Sequence, residues 1–318
     1  MGFFWHDHFA VSTIVLDSET RWWMPRHLNL LRNNSVGNLK ALVYSVAIDW
    51  AMLNFLDGIR SNLRNPNENF ARELWELFTL GRDNGYTQQD IEEAARAFTG
   101  FQSVLLPPPN DNRREIIFNS TLHDATDKTI FGLLLPGRSS NGELEYLDMV
   151  NLTFDHRPVA EFIGKKIWEY FVYTDPSQRV IDAVAKLFRD SNYEIAPVLQ
   201  TIFTSKAFFS DRAKEGLVKS PVEHHIGFVR ATGLNVPLVS LDFSLFSTYQ
   251  RPTRPPDVNG WPSGERWLSA AGMLERANFI RGAIALRGNP PQNDPGGNLL
   301  IEPLLPPPGQ RSAAEVVA

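Results

Sequence analysis

The sequence predicts a mainly α-helical, multi-helix globular domain with a small β-hairpin insert between two helical blocks. Apolar residues recur at three- and four-residue steps through most of the chain, glycine and asparagine mark helix ends, and one region rich in proline and asparagine interrupts the pattern. Hydrophobic residues make up 43% of the 318 residues, which supplies enough apolar side chains for a large core.

The first predicted block, residues 1–100, has three amphipathic helices, each followed by a glycine at its carboxyl end. Thr87 and Asp90 have the spacing of a capping box, which places the start of the third helix at Thr87. We predict the three helices at residues 35–58, 65–81 and 87–100.

The helical pattern stops in the insert, residues 101–151, where prolines, asparagines and serines separate short β-type runs. The runs REIIFNSTL and KTIFGLLL are rich in the β-branched and aromatic residues that strands favour. These features predict a small hairpin or loop insert.

The second block, residues 152–288, begins where helical periodicity resumes at Pro158, a residue that suits the first turn of a helix. Several helical patterns follow, interrupted by RPTRPPDVNGWPSG, which must be irregular because its prolines fix φ and lack amide hydrogens. We expect the tail, residues 289–318, to be flexible because it is rich in proline and glycine.

The charge distribution argues against two classes of partner. The 31 basic residues are scattered among 36 acidic ones without a basic stripe, so we expect neither a nucleic acid nor an anionic membrane as partner. No apolar run is long enough to span a membrane, and the first residues lack the order of a secretion signal. Because the chain has no cysteine, any metal site must use histidine and carboxylate ligands.

The stretch FWHDHF, near the amino terminus, is the first candidate site because it contains His6 and His8. On a strand the two imidazoles would share a face and could bind one metal ion, whereas on a helix only one would point inward. A metal ion would also need a ligand from elsewhere, such as His27, His123 or Glu68. The alternative is that both histidines are packing residues at a helix interface.

Two further segments offer groups for acid–base chemistry. NENFARELWEL contains Glu68 and Arg72, which form either part of a catalytic cleft or a solvated stripe of ion pairs. LHDATDK contains His123 and Asp124, which serve either proton transfer or a turn stabilised by aspartate. The enzyme hypothesis gathers His8 and these four residues, with His6 beside them, in one cleft.

DVNGWP contains Asp257, Asn259 and Trp261, a set that suits binding of a sugar if the indole is exposed for stacking. The alternative is that Trp261 fills a gap between helices while Asp257 caps a turn. The sequence has none of the common motifs for serine hydrolases, nucleotide binding or zinc proteases.

Six separated segments together resemble one family, called domain of unknown function 1800, over about residues 1–285. In order, these segments are NPNENFARELWELFTLG, GYTQQDIEEAARAFTGF, LHDATDKTIFG, FDHRPVAEFIGKKIWEYFV, KSPVEHHIGFVRATG and RPPDVNGWPSGERWL. The resemblance implies a bacterial, mainly helical protein that is exported to the periplasm or secreted. It also implies a gene neighbour from a sulfatase-like family, and it suggests that this chain is a fragment lacking the family's amino-terminal region and carboxyl end.

Two functions therefore remain open at this stage. The first is an exported hydrolase acting on polysaccharide or sulfated glycan. The second is a noncatalytic surface or assembly protein that partners the sulfatase-like neighbour, for which we expect exposed aromatic side chains such as Trp261 or Trp267 around a shallow surface.

Overall fold

The structure, a computed structural model, describes residues 1–107, 113–156 and 158–288, with only the backbone at 286–288. The predicted flexible tail, residues 289–318, lies outside the described residues. Within the described part, the predicted fold class is confirmed, because thirteen α-helices accompany two small antiparallel sheets of two strands each.

The chain divides into two compact units at positions other than the predicted block boundaries. Unit 1 comprises Met1–Leu217 and Thr253–Trp261, and unit 2 comprises Val218–Pro252 and the described residues from Pro262 onward. The predicted boundaries at residues 100, 151 and 288 therefore remain predictions from the sequence pattern.

Ten of the described α-helices belong to unit 1, and their apolar faces surround a core rich in large aromatic side chains, including Trp5, Trp23 and Trp75. They are α1 (Gly2–His8), α2 (Trp23–Asn33), α3 (Leu39–Ala47), α4 (Trp50–Phe55), α5 (Glu68–Glu73), α6 (Gln88–Ala97), α7 (Glu145–Asp155), α8 (Pro158–Phe171), α9 (Gln178–Asp190) and α10 (Ile195–Thr204). Unit 2 contains α11 (Pro221–Thr232), α12 (Leu238–Ser247) and α13 (Ala270–Gly288).

The single long helix predicted at residues 35–58 is wrong, because the chain breaks between α3 and α4 at Asp49. The Asp49 backbone is extended, and its carboxylate accepts the amide hydrogen of Met52 at 3.1 Å, as an N-cap does. The same carboxylate lies 2.9 Å from His27 Nδ1 inside the protein. The apolar spacing of residues 35–58 thus continues across Asp49, although one helix ends just before Asp49 and the next begins there.

The helix predicted to start at Thr87 is confirmed as α6, and Thr87 and Asp90 form the capping box. The preceding helix, α5, continues without interruption into a π-helical segment, Leu74–Thr79. In this segment the amides of Leu80 and Gly81 both donate to the Trp75 carbonyl, so the hydrogen-bond pattern departs from that of an α-helix.

The predicted insert is present and contains two hairpins, where the sequence predicts one small hairpin or loop insert. Strand β1 (Phe101–Leu105) pairs with β2 (Arg114–Phe118), and β3 (Lys128–Ile130) pairs with β4 (Leu133–Leu135). Helix α7 follows and occupies the last part of the predicted insert. The sequence pattern does not predict this helix, because the apolar spacing of EYLDMVNLTF comes directly after the RSSNG turn. None of the helices in the described ranges is both long and apolar enough to cross a membrane.

Candidate functional site

The stretch FWHDHF lies in helix α1, so His6 and His8 leave the helix on different sides. Both side chains are nevertheless buried, with 3% and 5% of their surfaces exposed. The expectation that only one histidine of a helix would face inward is therefore wrong, because unit 1 surrounds α1 on more than one side.

His6 faces the chain segment that returns at Thr253. Its Nε2 accepts the amide hydrogen of Thr253 at 3.1 Å, so the ring proton is on Nδ1. Its ring stands edge-on to Trp261, with 5.3 Å between ring centroids. Burial, followed by the neighbouring His27, lowers the pKa of His6 to about 3, so the imidazole is neutral near pH 7.

His8 faces the π-helical segment and α8. Its Nε2 donates to the Phe78 carbonyl at 3.0 Å, and its Nδ1 accepts from the Lys166 ammonium at 3.1 Å. Burial lowers the pKa of His8 well below its usual value, and the Lys166 charge lowers it further. The free electron pair of each histidine is thus already used by a protein donor, which leaves neither available to the predicted metal ion.

No group of three potential metal ligands occurs among the described residues. His27, one of the possible third ligands, lies with its Nδ1 2.9 Å from Asp49 and its Nε2 3.3 Å from the Phe9 carbonyl. The metal role of His6 and His8 is therefore not supported by the contacts of either residue.

Lys166 extends from α8 to the carboxyl end of the π-helical segment. Its ammonium donates to His8 and to the Leu77 carbonyl, at 3.2 Å, and lies 4.9 Å from the centroid of the Phe162 ring. Burial lowers the pKa of Lys166 to about 8, although Asp7 and Glu169 oppose this shift. Segments of π-helix are rare and often occur at functional sites.

Asp7, between the two histidines, is partly buried. Its Oδ1 accepts the amide hydrogen of Trp261 at 2.7 Å, whereas its Oδ2 has no hydrogen-bond donor among the described residues. Burial raises the pKa of Asp7 to about 6, opposed by the Trp261 amide and by the charge of Lys166. In the described part of the chain the two charged groups form no direct ion pair. We call Asp7, His8, Lys166 and the backbone of Gly260 and Trp261 the Asp7–Lys166 site.

The DVNGWP turn supplies the backbone of this site. Asp257 Oδ1 accepts from the Asn259 amide at 2.8 Å, and Gly260 has φ +83°. A Cβ atom at Gly260 would lie 2.4 Å from the Asp7 carbonyl oxygen, so only glycine allows this approach.

Trp261 is only 5% exposed and stacks on Phe3, and Trp267 of unit 2 is 6% exposed. The predicted exposed indole for stacking on a sugar is therefore wrong, because the ring fills a gap beside α1. Asp257 and Asn259 remain at the surface as exposed polar groups.

Glu68 and Arg72 lie on the outer face of α5. Arg72 donates to Glu68 at 2.9 Å and to Glu76 at 3.5 Å, and Arg82 connects Glu76 to Asn259. These contacts form a chain of polar side chains from Glu68 to the DVNGWP turn. They agree in part with the alternative prediction, a solvated stripe of ion pairs.

Glu73 lies on the same helix and has no hydrogen-bond donor among the described residues. Burial raises the pKa of Glu73, and the nearby Glu76 and Asp257 carboxylates raise it further, while Arg82 and Arg72 oppose the shift. Glu73 is thus a partly buried carboxyl next to the DVNGWP turn.

His123 belongs to a separate group, which we call the His123 cluster and define as His123, Lys128 and Glu145. His123 Nδ1 lies 2.9 Å from the Thr99 carbonyl, and its Nε2 lies 3.0 Å from the Glu145 carboxylate. Glu145 also forms an ion pair with Lys128, and both side chains are fully buried. Each ring nitrogen of His123 therefore faces an oxygen that the protein itself supplies.

Asp124 accepts from Arg96 at 2.8 Å and from Thr126. Burial alone would raise the pKa of Asp124, but these hydrogen bonds and the Arg96 charge hold it well below its usual value. Asp124 is thus an ionised carboxylate with its acceptors occupied, consistent with the turn alternative.

The predicted catalytic set falls into three groups: His8 beside Lys166, Glu68 with Arg72, and His123 with Asp124. Within the part of the chain that the structure describes, no hydrogen bond or ion pair joins one of these groups to another. Sequence reasoning missed Asp7 and Lys166 as a pair. Asp7 stands inside FWHDHF and could have been chosen there, whereas Lys166 carries no local signal.

A family model described as "Protein of unknown function (DUF1800)" matches residues 1–316 of this chain. The chain belongs to the DUF1800 family. The match extends beyond the predicted limit at about residue 285, and it gives no support to the expectation of a fragment. No curated protein and no solved structure matches this DUF1800 chain significantly.

Proposed function

We propose that this DUF1800 protein is an acid–base hydrolase acting on polysaccharide, with Asp7 and Lys166 as its proton-transfer groups. The observation that carries the proposal is their placement. A carboxyl from α1 and an ammonium from α8 are held apart without an ion pair, and each retains hydrogen-bonding capacity within the described residues. Charged groups that are partly buried yet unsatisfied are common at catalytic sites.

In this mechanism Asp7 acts as the general base. Its Oδ2 accepts a proton from a water molecule, which then attacks the substrate, while the Trp261 amide holds Oδ1 in place. Lys166 donates a proton or hydrogen bond to the leaving oxygen, with the third ammonium hydrogen that neither His8 nor Leu77 receives. His8 is a positioning residue because it orients Lys166.

Hydroxyl-rich substrates suit the surface that borders the site. Asp257 and Asn259 offer exposed carboxylate and amide groups, and Glu73 offers a carboxyl without a protein donor. Arg82 and Arg72 add donors that could pair with a sulfate group, so a sulfated glycan fits as well as a neutral one. The predicted residues Glu68 and Arg72 would then support the outer edge of the binding surface.

The test is release of reducing ends from a panel of sulfated and unsulfated polysaccharides. We expect turnover by the wild-type chain, a loss of at least a hundredfold in kcat/KM for Asp7→Asn, and little change for Asp211→Asn, whose side chain is 98% exposed. Circular dichroism of each variant establishes that it is folded.

The pH profile provides a second readout. Asp7 is deprotonated above its pKa of about 6 and Lys166 is protonated below about 8, so kcat/KM should be highest between these values. Turnover that Asp7→Asn leaves unchanged would exclude these roles.

A noncatalytic assembly protein is the second candidate, favoured by the surface of α12. Four large apolar side chains there are more than half exposed, and patches of this kind often mark protein contacts. They are Leu238, Val239, Phe243 and Phe246. A sulfatase-like protein encoded nearby is the proposed partner. Co-purification that is lost in Phe243→Ser, together with no turnover on any polysaccharide, would favour this candidate.

Both candidates keep the exported location that the family resemblance implies. Fractionation of cells that express the natural gene, followed by detection of the protein in periplasm and medium, tests this location. Recovery in the cytoplasm alone would contradict it.

A further inference from the structure

A small cavity of about 130 Å³ lies within unit 2, at the amino end of helix α13. Its lining includes Arg276, Trp267, Ser269 and Gly272, with the exposed Tyr249 and Arg266 also contributing. By volume it holds about four water molecules. The cavity therefore suits a group of a few non-hydrogen atoms.

Arg276 is the unusual member of this lining. Only 6% of the residue is exposed, and its Nε and Nη2 atoms are fully enclosed with no hydrogen-bond partner among the residues that the structure describes. Burial lowers the pKa of Arg276, while the Glu223 carboxylate opposes this shift without forming an ion pair in the described part of the chain. A guanidinium stays charged in proteins, so its burial with two unpaired donors costs stability, and an anion in the cavity that Arg276 lines would offset that charge.

The amino end of α13 adds a second positive feature. Ser269 precedes the helix, and its hydroxyl oxygen accepts the Gly272 amide at 3.1 Å, as an N-cap does. The first amides of a helix have no partner inside it, and a helix of 19 residues has a developed macrodipole. The Gly272 amide is already bonded to Ser269, so it is the helix dipole that favours an anion at the cavity.

We propose that this cavity binds a tetrahedral oxyanion of the size of sulfate or phosphate, either free or as the terminal group of a larger ligand. Arg276 receives it from within, the Ser269 hydroxyl donates to it, the dipole of α13 favours its negative charge, and Arg266 adds positive charge from the surface. Arginine donors in a fixed fork match phosphate and sulfate oxygens in pairs.

Calorimetric titration of the whole chain with inorganic phosphate, sulfate, methyl phosphate and acetate at constant ionic strength tests the proposal. We expect saturable binding of the tetrahedral anions, and weakening by about ten- to a hundredfold in Arg276→Met, because charged hydrogen bonds are lost. Binding of methyl phosphate would indicate an esterified ligand, and preference for phosphate or sulfate would indicate the free ion.

Arg281→Met is the matched control, because it removes an equal charge from the exposed side of the same helix, where Arg281 bonds Asn278. We expect its anion affinity to stay within about twofold of the wild type. Without anion, Arg276→Met should unfold at no lower a denaturant concentration than the wild type, because it removes an unpaired buried charge.

Three results would overturn the proposal: no saturable heat with phosphate or sulfate, equal binding by Arg276→Met, or tighter binding of acetate. The site is independent of the proposed hydrolase function, since Asp7→Asn should leave the anion titration unchanged.

Discussion

The Asp7–Lys166 site and the His123 cluster both place charged groups inside unit 1, but they differ in what the protein leaves unsatisfied. In the His123 cluster, both ring nitrogens face protein oxygens and Glu145 is paired with Lys128. In the Asp7–Lys166 site, the carboxyl and the ammonium are not paired with each other among the described residues. Burial alone therefore does not identify a reactive group, whereas unused hydrogen-bonding capacity is a better guide.

The largest effect is expected when the His123 cluster is broken. Glu145→Ala leaves the fully buried Lys128 without its carboxylate, and removal of one partner from a buried ion pair costs about 3–5 kcal/mol. Urea unfolding measures the change, with the exposed Glu143→Ala as control. A loss below about 1 kcal/mol would show that Lys128 finds another acceptor and that the cluster is not saturated.

The next effect concerns acid stability and His6. The pKa of His6 is lowered to about 3 in the folded chain, so below its usual value near 6.5 the unfolded state binds more protons. This contribution to stability is present above pH 6.5 and is lost as pH falls toward 3, by about 4 kcal/mol.

The variant His6→Gln retains an acceptor for the Thr253 amide but does not titrate. The difference in unfolding free energy between wild type and variant should therefore narrow as pH falls from 7 to 4. A constant difference across this range would rule out the proposed neutral histidine.

A change at the DVNGWP turn should be smaller. Gly260→Ala requires a left-handed backbone and places a methyl group against Asp7, at an expected cost of about 2 kcal/mol. Gly264→Ala is the control for strain alone, because it shares a positive φ of +62° but nothing lies within 4 Å of its Cβ position. Equal losses in the two variants would show that contact with Asp7 contributes nothing.

Asp7→Asn should change the free energy of unfolding in the opposite direction to Glu145→Ala, which distinguishes the Asp7–Lys166 site from the His123 cluster. The raised pKa means that the folded state binds more protons, so the contribution of Asp7 to stability is present at low pH and is lost as pH rises from about 4 to about 6. At pH 7 the variant should therefore be more stable than wild type, by about 1 kcal/mol. Chemical unfolding at pH 7 and pH 4 checks this, and destabilisation at pH 7 would indicate that Asp7 is a structural group like Glu145.

The smallest effect is expected at Glu68, whose ion pair with Arg72 is more than a third exposed. Glu68→Ala should cost no more than about 0.5 kcal/mol, because pairs of this type are screened by solvent. A thermal unfolding curve measures the change, and a loss above about 2 kcal/mol would reassign Glu68 to a structural role.

The sequence predicted those features that depend on neighbouring residues. The capping box of Thr87 and Asp90 and the strand character of the insert are local properties, and both are present in the structure. The break at Asp49 could not be predicted from apolar spacing. Asp49 caps α4 and also contacts His27, and this second contact depends on the tertiary fold.

The candidate site depended almost wholly on tertiary contacts. FWHDHF is the stretch that the sequence singles out, but it favours the histidines over Asp7, because imidazole suggests a metal ligand. Lys166 could not be found, because only the packing of α8 decides which of the two lysines in KK points toward His8.

In the π-helical segment, the number of residues matters as much as their identity. The Leu77 and Phe78 carbonyls are directed at Lys166 and His8 by one wide turn. Deleting a single residue between 74 and 79 would rotate everything after it by about 100° about the helix axis, even if every side chain named here were retained. Insertions and deletions in this turn should thus be tolerated less than substitutions on its outer surface.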